Sequence, residues 1–293
     1  MNAIGVVGLG VVGGTVEAAF RAAGVEARGY DRYRGIGAPA DLARCSVVFL
    51  CVPTPSGPDG EHDLTEVASA VEEIEPHLEP GTVIAIKSTI PPGSCERLAA
   101  RHPQLEFASV PEFLVASRAV ESFVRPDRIV IGARSPEAAA TIAGLMKTIA
   151  PEAPVVVLEP TEAELVKLCS NAMLAAKVSM ANELSDVCAR FGVQWSRVHA
   201  VVGLDRRIGP DHMTVTRERG FGGECLPKDL NGLVAASRGR GYDPRLLDAI
   251  ARFNRTIRQE IDPGPLDEQV TRESKVHTQM HSGRLAVAEK EIP

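Results

Sequence analysis

The sequence predicts an α/β fold: a mainly parallel sheet flanked by helices, followed by an all-helical domain. Three observations carry this. Short apolar runs alternate with helix-period segments from residue 4 to residue 158. A glycine-rich turn joins the first apolar run to the first helical segment. From about Pro160 the pattern changes to uninterrupted helix. A length of 293 residues suits about two domains. The division expected is residues 1–159 for the sheet domain, 160–261 for the helical domain and 262–293 for a polar tail.

Ile4-Gly5-Val6-Val7 reads as a buried strand, and Gly8-Leu9-Gly10-Val11-Val12-Gly13 follows at once, leading into an alanine-rich helix from Thr15 to Ala23. In this setting the glycines form a dinucleotide fingerprint of the Rossmann type. Gly8 makes the tight turn, Gly10 lets a pyrophosphate reach the backbone, and Gly13 lets helix pack on strand, while the helix N-terminus faces the phosphate charge. A second strand, Glu26 to Tyr30, ends at Asp31, whose carboxylate can accept hydrogen bonds from both ribose hydroxyls and would repel a 2′-phosphate. That favours NAD, although Arg32 and Arg34 lie close enough to leave NADP open. Further strands are expected at Ser46 to Val52, Thr82 to Ile86, Phe107 to Val110, Ile129 to Gly132 and Val155 to Leu158, with helices from Leu64 to Leu78 and from Glu137 to Ile149. Loops at strand ends are where such sheets bind ligands, which singles out Cys51-Val52-Pro53-Thr54-Pro55 and Lys87-Ser88-Thr89. Thr54 and Thr89 are expected to face the cofactor, or else to serve as ordinary turn hydroxyls. The expected cofactor set is Gly8, Gly10, Val12, Gly13, Asp31, Pro53, Thr54 and Thr89.

A long helix is expected from Thr161 to Phe191, with Gly192 as its C-terminal cap. Lys167 and Asn171 stand four apart and share a face, where an ammonium and an amide could address a developing oxyanion or simply meet solvent. The Ala, Met and Val stripe along this helix reads as core or as a dimer seam. Further on, Gly222-Gly223-Glu224-Cys225-Leu226-Pro227-Lys228-Asp229 sets a lone thiol at a helix start. Pro227 suits a first helical position, and the helix N-terminus favours thiolate. Cys225 is therefore a candidate nucleophile, against the alternative of a small buried hydrophobe.

Composition narrows the class: 44% hydrophobic and 24% charged residues with a net charge of −6 describe a globular chain with little affinity for nucleic acid. No apolar run approaches the roughly 20 residues of a membrane span. The start of the chain lacks the basic and apolar regions of a signal peptide. The six cysteines show no CxxC spacing and the seven histidines no metal motif, so a reducing, cytoplasmic setting and no metal are expected.

Several motifs in order resemble the UDP-glucose/GDP-mannose dehydrogenase family, and within it the UDP-glucose 6-dehydrogenases, over roughly residues 1 to 258. They are the glycine fingerprint with Asp31, Val52-Pro53-Thr54-Pro55, Lys87-Ser88-Thr89, Pro111-Glu112-Phe113-Leu114 and Pro126-Asp127-Arg128. After these come Glu164 to Asn171 with Asn182-Glu183, Arg207-Ile208-Gly209, and Gly220-Phe221-Gly222-Gly223 through Cys225 to Asp229. The resemblance implies an NAD-dependent oxidoreductase of polysaccharide biosynthesis that takes a nucleotide-sugar primary alcohol to a carboxylate in two hydride transfers. Cys225 would trap the aldehyde as a thiohemiacetal that becomes a thioester. It further implies that Lys167 and Asn171 hold the oxyanion, that Asp229 positions Lys167 and water, and that Glu112 and Thr89 orient the hydrolytic water. The implied substrate contacts are Glu112, Phe113, Leu114, Lys167, Asn171, Phe221 and Gly222, with Arg207 lent across a homodimer interface in the helical domain. A nearby ammonium and the helix dipole would depress the Cys225 pKa.

Three departures accompany the resemblance. Ala116 and Ser122 stand where the family usually carries acidic residues. Thr214-Val215-Thr216-Arg217-Glu218-Arg219 replaces a loop usually richer in Gly and Pro, which bears on sugar specificity. The family's further Rossmann-like domain, which clamps the nucleotide with basic side chains, has no counterpart before Pro293, and the polar stretch after Asp262 reads as a flexible tail. Read as a stand-alone chain, that predicts less remote binding energy for positioning the sugar. Two other functions therefore stay open: a catalytically weak NAD-binding or interaction protein, or half of a split dehydrogenase; and a small hydroxyacid dehydrogenase, which would need no thiol.

Overall fold

A computed structural model describes residues 3–259, so the expectation of a flexible tail lies outside the described residues. The first portion runs β1 (Ala3–Val7), α1 (Val11–Ala22), β2 (Ala27–Tyr30), β3 (Cys45–Leu50), α2 (Thr65–Ile74), β4 (Val83–Ile86), α3 (Ser94–Arg101), β5 (Glu106–Ser109), α4 (Ala119–Val124), β6 (Ile129–Ala133), α5 (Pro136–Ile149) and β7 (Val155–Leu158). The strands form one sheet in the order β2-β1-β3-β4-β5-β6-β7. All pairs are parallel except β5 with β6, which run antiparallel through Ala108 opposite Ala133 and Ser109 opposite Gly132. This is the Rossmann-type, mainly parallel sheet expected.

Both faces of the sheet are covered, and the period of two along each strand shows how. Ile4, Val6, Val47 and Phe49 pack with Val16 and Phe20 of α1 on one face. Val7, Val48 and Leu50 pack with Val67, Val71 and Ile74 of α2 on the other. Every residue of β1 is buried, so the strand carries no polar side chain. Element ends differ from expectation by a few residues. The first helix begins at Val11, not Thr15, because its opening turn is built from the glycine motif itself. The segment expected as helix to Leu78 ends at Ile74 and tightens into a 3-10 turn at Glu75–His77, where Pro76 cannot continue the hydrogen-bond ladder.

The second portion is helical: α6 (Pro160–Arg190), α7 (Trp195–Val202), α8 (Cys225–Gly239) and α9 (Arg245–Gln259). At 31 residues α6 spans about 46 Å. Pro160 occupies its first position, and the Glu162 carboxylate accepts from the Glu159 N–H at 2.9 Å. Gly192, at φ +68°, follows the helix end in the left-handed region and donates to the Ala189 carbonyl. The α6, α8 and α9 helices bury Leu168, Ala172, Ala175, Leu230, Leu233 and Ala251 together.

Two features fasten this portion to the sheet. Gly132 of β6 lies so near the first turn of α6 that a Cβ there would stand 2.9 Å from the Pro160 Cα. Buried Glu164 of α6 accepts backbone N–H bonds from Gly93 and Cys95 at the start of α3, an anion at a helix N-terminus. Burial pushes the Glu164 carboxyl upward, while those N–H bonds oppose the shift.

Candidate active site

A cleft of about 850 Å3 opens along the ends of β1 to β4 and is closed on its far side by the start of α8. Its glycine end has the features a dinucleotide needs. Gly8 sits at φ +84°, and a Cβ there would press on the Cys51 carbonyl at 2.9 Å. A Cβ on Gly13 would collide with the Gly8 carbonyl, so Gly13 serves helix-to-strand packing and does not line the cleft. Gly10, by contrast, has open space where a Cβ would be, and no side chain caps the first turn of α1. That cradle of unpaired N–H groups suits a pyrophosphate. Asp31 is held in place there: its Oδ2 accepts from the Leu9 N–H at 2.8 Å, and its Oδ1 accepts from the N–H groups of Tyr33 and Arg34. Gly8, Gly10, Val12, Asp31, Pro53, Thr54 and Thr89 all line the cleft. The Thr54 hydroxyl is engaged internally, donating to the Thr89 carbonyl at 2.8 Å, so it ties two cleft loops together.

At the other end Cys225 is the first residue of α8, exposed to the cleft, with Glu224 as the capping residue. The helix starts there and not at Pro227, which occupies its third position. The expected depression of the thiol pKa is not found. Burial by the surrounding walls pushes the Cys225 thiol up, and the negative charges of Asp229 and Glu112 add to this, against the opposing pull of Lys167 and Lys228. Two carboxylates near the thiol offset the two ammonium groups, which spacing alone did not disclose.

Behind the thiol stand two polar pairs. Lys167 donates to Glu112 Oε1 at 3.1 Å, and both side chains are largely buried. Glu112 Oε2 accepts from the Leu114 N–H. The Asn171 amide donates to Asp229 Oδ2 at 2.6 Å, and the other carboxylate oxygen receives Lys228 Nζ at 2.7 Å and His62 Nε2 at 3.3 Å. The expected contact of Asp229 with Lys167 is thus replaced: Lys167 faces Glu112, while Asp229 holds Asn171. Burial by itself would raise the Asp229 carboxyl. The His62 hydrogen bond, then Lys228 and Lys167, hold it below the usual carboxylate range. Glu112 and Thr89 line the cleft, whereas Lys167, Asn171 and Asp229 form the layer beneath.

The remaining expected substrate residues divide. Leu114 lines the main cleft, and with Phe113 it also lines an adjoining cavity of about 290 Å3. The Arg128 guanidinium lies 4.2 Å from the Phe113 ring centroid and the Lys167 ammonium 5.6 Å from it. Phe221 is a core residue that does not line the cleft. Its ring is buried among α6, α8 and α9, and its backbone is held by both amide atoms of Asn254. Gly222 lies against the Arg258 guanidinium, outside the cleft. Arg207 is also outside it, exposed and paired with Asp205 at 2.6 Å.

Sequence reasoning missed two groups. His62, in the loop after β3, is fully buried against α8, in a seat that exists because residue 232 has no side chain. No spacing rule points to it, since its partner lies 167 residues away. Lys87 borders both cavities and is buried, and burial lowers its pKa to about 8 despite nearby Cys51 and Glu112. The Lys87-Ser88-Thr89 motif is legible in the sequence, but nothing local shows that the ammonium is taken out of water. Among the described residues no group of His, Cys, Asp and Glu is arranged to hold a metal ion, and no helix is long and apolar enough to cross a membrane.

Comparison with known proteins agrees with this geometry. Residues 36–150 match the NAD binding domain of the UDP-glucose/GDP-mannose dehydrogenase family, and residues 161–256 match its central domain. A UDP-glucose dehydrogenase structure from Pyrobaculum islandicum superposes with a TM-score of 0.78 at 32% identity, covering 87% of this chain and 68% of the other. The UDP-glucose 6-dehydrogenase of Rickettsia conorii is 38% identical over 221 residues, 73% of this chain and 50% of that protein. The Pseudomonas aeruginosa enzyme of the same name is 36% identical over 224 residues, 73% and 49% of the two chains. The chain spans about half the length of the curated relatives it matches.

Proposed function

The chain belongs to the UDP-glucose/GDP-mannose dehydrogenase family, and from its cleft we propose that it oxidises the primary alcohol of a nucleotide sugar, UDP-glucose in the first instance, to a carboxylate. The observation that carries this reading is that Cys225 opens onto the same cleft as the glycine cradle and Asp31. A dehydrogenase that stops at the aldehyde or ketone needs no nucleophile beside its dinucleotide, which weighs against a small hydroxyacid substrate. We assign residues 1–159 to dinucleotide binding and residues 160–261 to the helical domain that supplies Lys167, Asn171, Cys225 and Asp229.

Gly8, Gly10, Val12, Asp31, Pro53, Thr54 and Thr89 would hold NAD, which when bound accepts hydride in each of two oxidations. The chain's own groups do the rest. The Cys225 thiol adds across the aldehyde: its sulfur bonds to the carbon as the C=O π bond opens, and its proton ends on the former carbonyl oxygen, making a thiohemiacetal. After oxidation this is a thioester, which water cleaves to carboxylate and free thiol. Lys167 and the Asn171 amide stabilise the oxyanion formed at each addition. Asp229, anchored by His62 and Lys228, fixes the Asn171 amide. Glu112, bound to Lys167, orients the hydrolytic water with Thr89.

The test is NADH formation with UDP-glucose, counted per sugar consumed, in the parent chain and in Cys225→Ser. Two NADH per sugar, falling at least about a thousandfold in rate with the serine variant, is the expected outcome. A Cys225→Ser variant with undiminished full oxidation would sink the covalent mechanism.

A further inference from the structure

Arg32 directly follows the ribose-binding acid Asp31, where a free guanidinium would invite the 2′-phosphate of NADP. It is not free. Its Nη2 donates to Glu66 Oε2 at 2.7 Å and to the Tyr33 hydroxyl at 3.0 Å. Its Nη1 donates to Ser69 Oγ at 2.8 Å and lies 3.8 Å from Glu73 Oε2. Glu66, Ser69 and Glu73 follow one another at spacings of three and four residues, so one face of α2 presents all three to the same guanidinium.

The captors are themselves held. The Tyr33 hydroxyl donates to Glu66 Oε1 at 2.8 Å. The buried Tyr30 hydroxyl donates to Glu73 Oε1, and burial together with that bond pushes the Tyr30 phenol up to about 12, so it remains a donor at any working pH. Glu73 Oε2 is buried without a hydrogen-bond partner, and the nearest cation to it is Arg32, 3.8 Å away. Arg34, the other cation here, lies 3.9 Å from Asp31. The cleft wall at this end therefore carries three carboxylates, Asp31, Glu66 and Glu73, against two guanidiniums, Arg32 held by α2 and Arg34 exposed near Asp31.

We infer that Glu66, Ser69 and Glu73 of α2 are specificity-determining residues: they capture Arg32, withhold it from a 2′-phosphate, and make the chain select NAD over NADP. This rests on reading the cleft as the dinucleotide site. Asp31 rejects the phosphate directly, and the α2 face removes the guanidinium that follows it in the chain, while Arg34 is the same in every variant compared. The charges are partly exposed, so the effect is moderate and weakens with salt.

The test is calorimetric titration of the full chain with NAD and with NADP. The variants are the parent, Glu66→Gln with Glu73→Gln, and that pair combined with Arg32→Ala. Releasing Arg32 is expected to tighten NADP about tenfold while NAD changes by less than about threefold, and adding Arg32→Ala is expected to abolish the gain. Glu66→Gln alone, on a partly exposed helix face that tolerates an isosteric amide, should give part of the gain and guards against misfolding of the pair. An unchanged NAD to NADP ratio in folded Glu66→Gln and pair variants overturns the inference, as does a gain that survives Arg32→Ala. Parent chain that binds NAD with an unchanged ratio in the variants refutes only the role of α2, whereas parent chain that binds neither dinucleotide removes the cofactor reading and this inference with it.

Discussion

Cys225 and Lys87 are both titratable groups whose surroundings favour the neutral form, and each gives a measurable consequence. Burial raises the thiol, with Asp229 and Glu112 adding to it, so thiolate accumulates only on the alkaline side of an ordinary cysteine. Alkylation of Cys225 by iodoacetamide, followed by mass spectrometry without substrate, should still be rising at pH 9; a plateau near pH 7 would contradict this. Lys87 goes the other way, from 10.5 down to about 8, because its ammonium is buried. The folded chain binds fewer protons than the unfolded chain between those two values, so the penalty is full below pH 8 and fades as the pH rises through 10.5. Lys87→Met should therefore stabilise the fold at pH 7 by up to about 3 kcal/mol, with the advantage over the parent shrinking above pH 9 in parallel denaturant titrations. A variant less stable at pH 7 would mean that the amine is held by an interaction worth more than its desolvation. These environments also mark where sequence reading stops. The shared face of Lys167 and Asn171 follows from a spacing of four, but that one holds Glu112 and the other Asp229 depends on how two distant segments meet.

The elements themselves were largely legible, because buried parallel strands read as short apolar runs and α6 has proline, acidic and glycine signals at its ends. Less legible was how the loop after β3 docks on α8. That docking depends on His62 lying over Gly232 and on Gly60, at φ +82°, lying over Asn231. A Cβ at position 232 would collide with the imidazole ring, which cannot yield because it is fully buried and bonded to Asp229. Gly232→Ala should cost about 1–3 kcal/mol through overpacking, read from the denaturant midpoint, even though alanine is the better helix former. Combining it with His62→Ala should recover part of that loss, since the small side chain vacates the space. Simple additivity of the two changes would show that the ring and Gly232 do not meet.

Across the whole molecule, α6 does two jobs on opposite sides. One side enters the sheet domain through Ala163 and Glu164 and carries Lys167 and Asn171 toward the cleft. The other leaves Met173, Met180, Leu184, Val187 and Phe191 exposed, at successive spacings of seven, four, three and four residues. Such spacing lines them along one stripe of the helix, and a stripe of large apolar side chains on a helix about 46 Å long exceeds what isolated surface residues account for. A second copy packed on the same stripe about a twofold axis would bury it by self-complementarity. The stripe expected from the sequence divides: Ala172 and Ala175 are core, whereas the large apolar side chains are exposed in the single chain. Arg207 fits the same arrangement, being exposed and outside its own chain's cleft. The parent chain is therefore expected to scatter light as a dimer at micromolar concentration. Met180→Lys with Phe191→Lys is expected to scatter as a monomer that still binds NAD, because neither residue lines the cleft. If Arg207 serves the partner's site, sugar oxidation should fall in that monomer while NAD affinity holds. A parent chain that is already monomeric would remove both the twofold seam and the role across it.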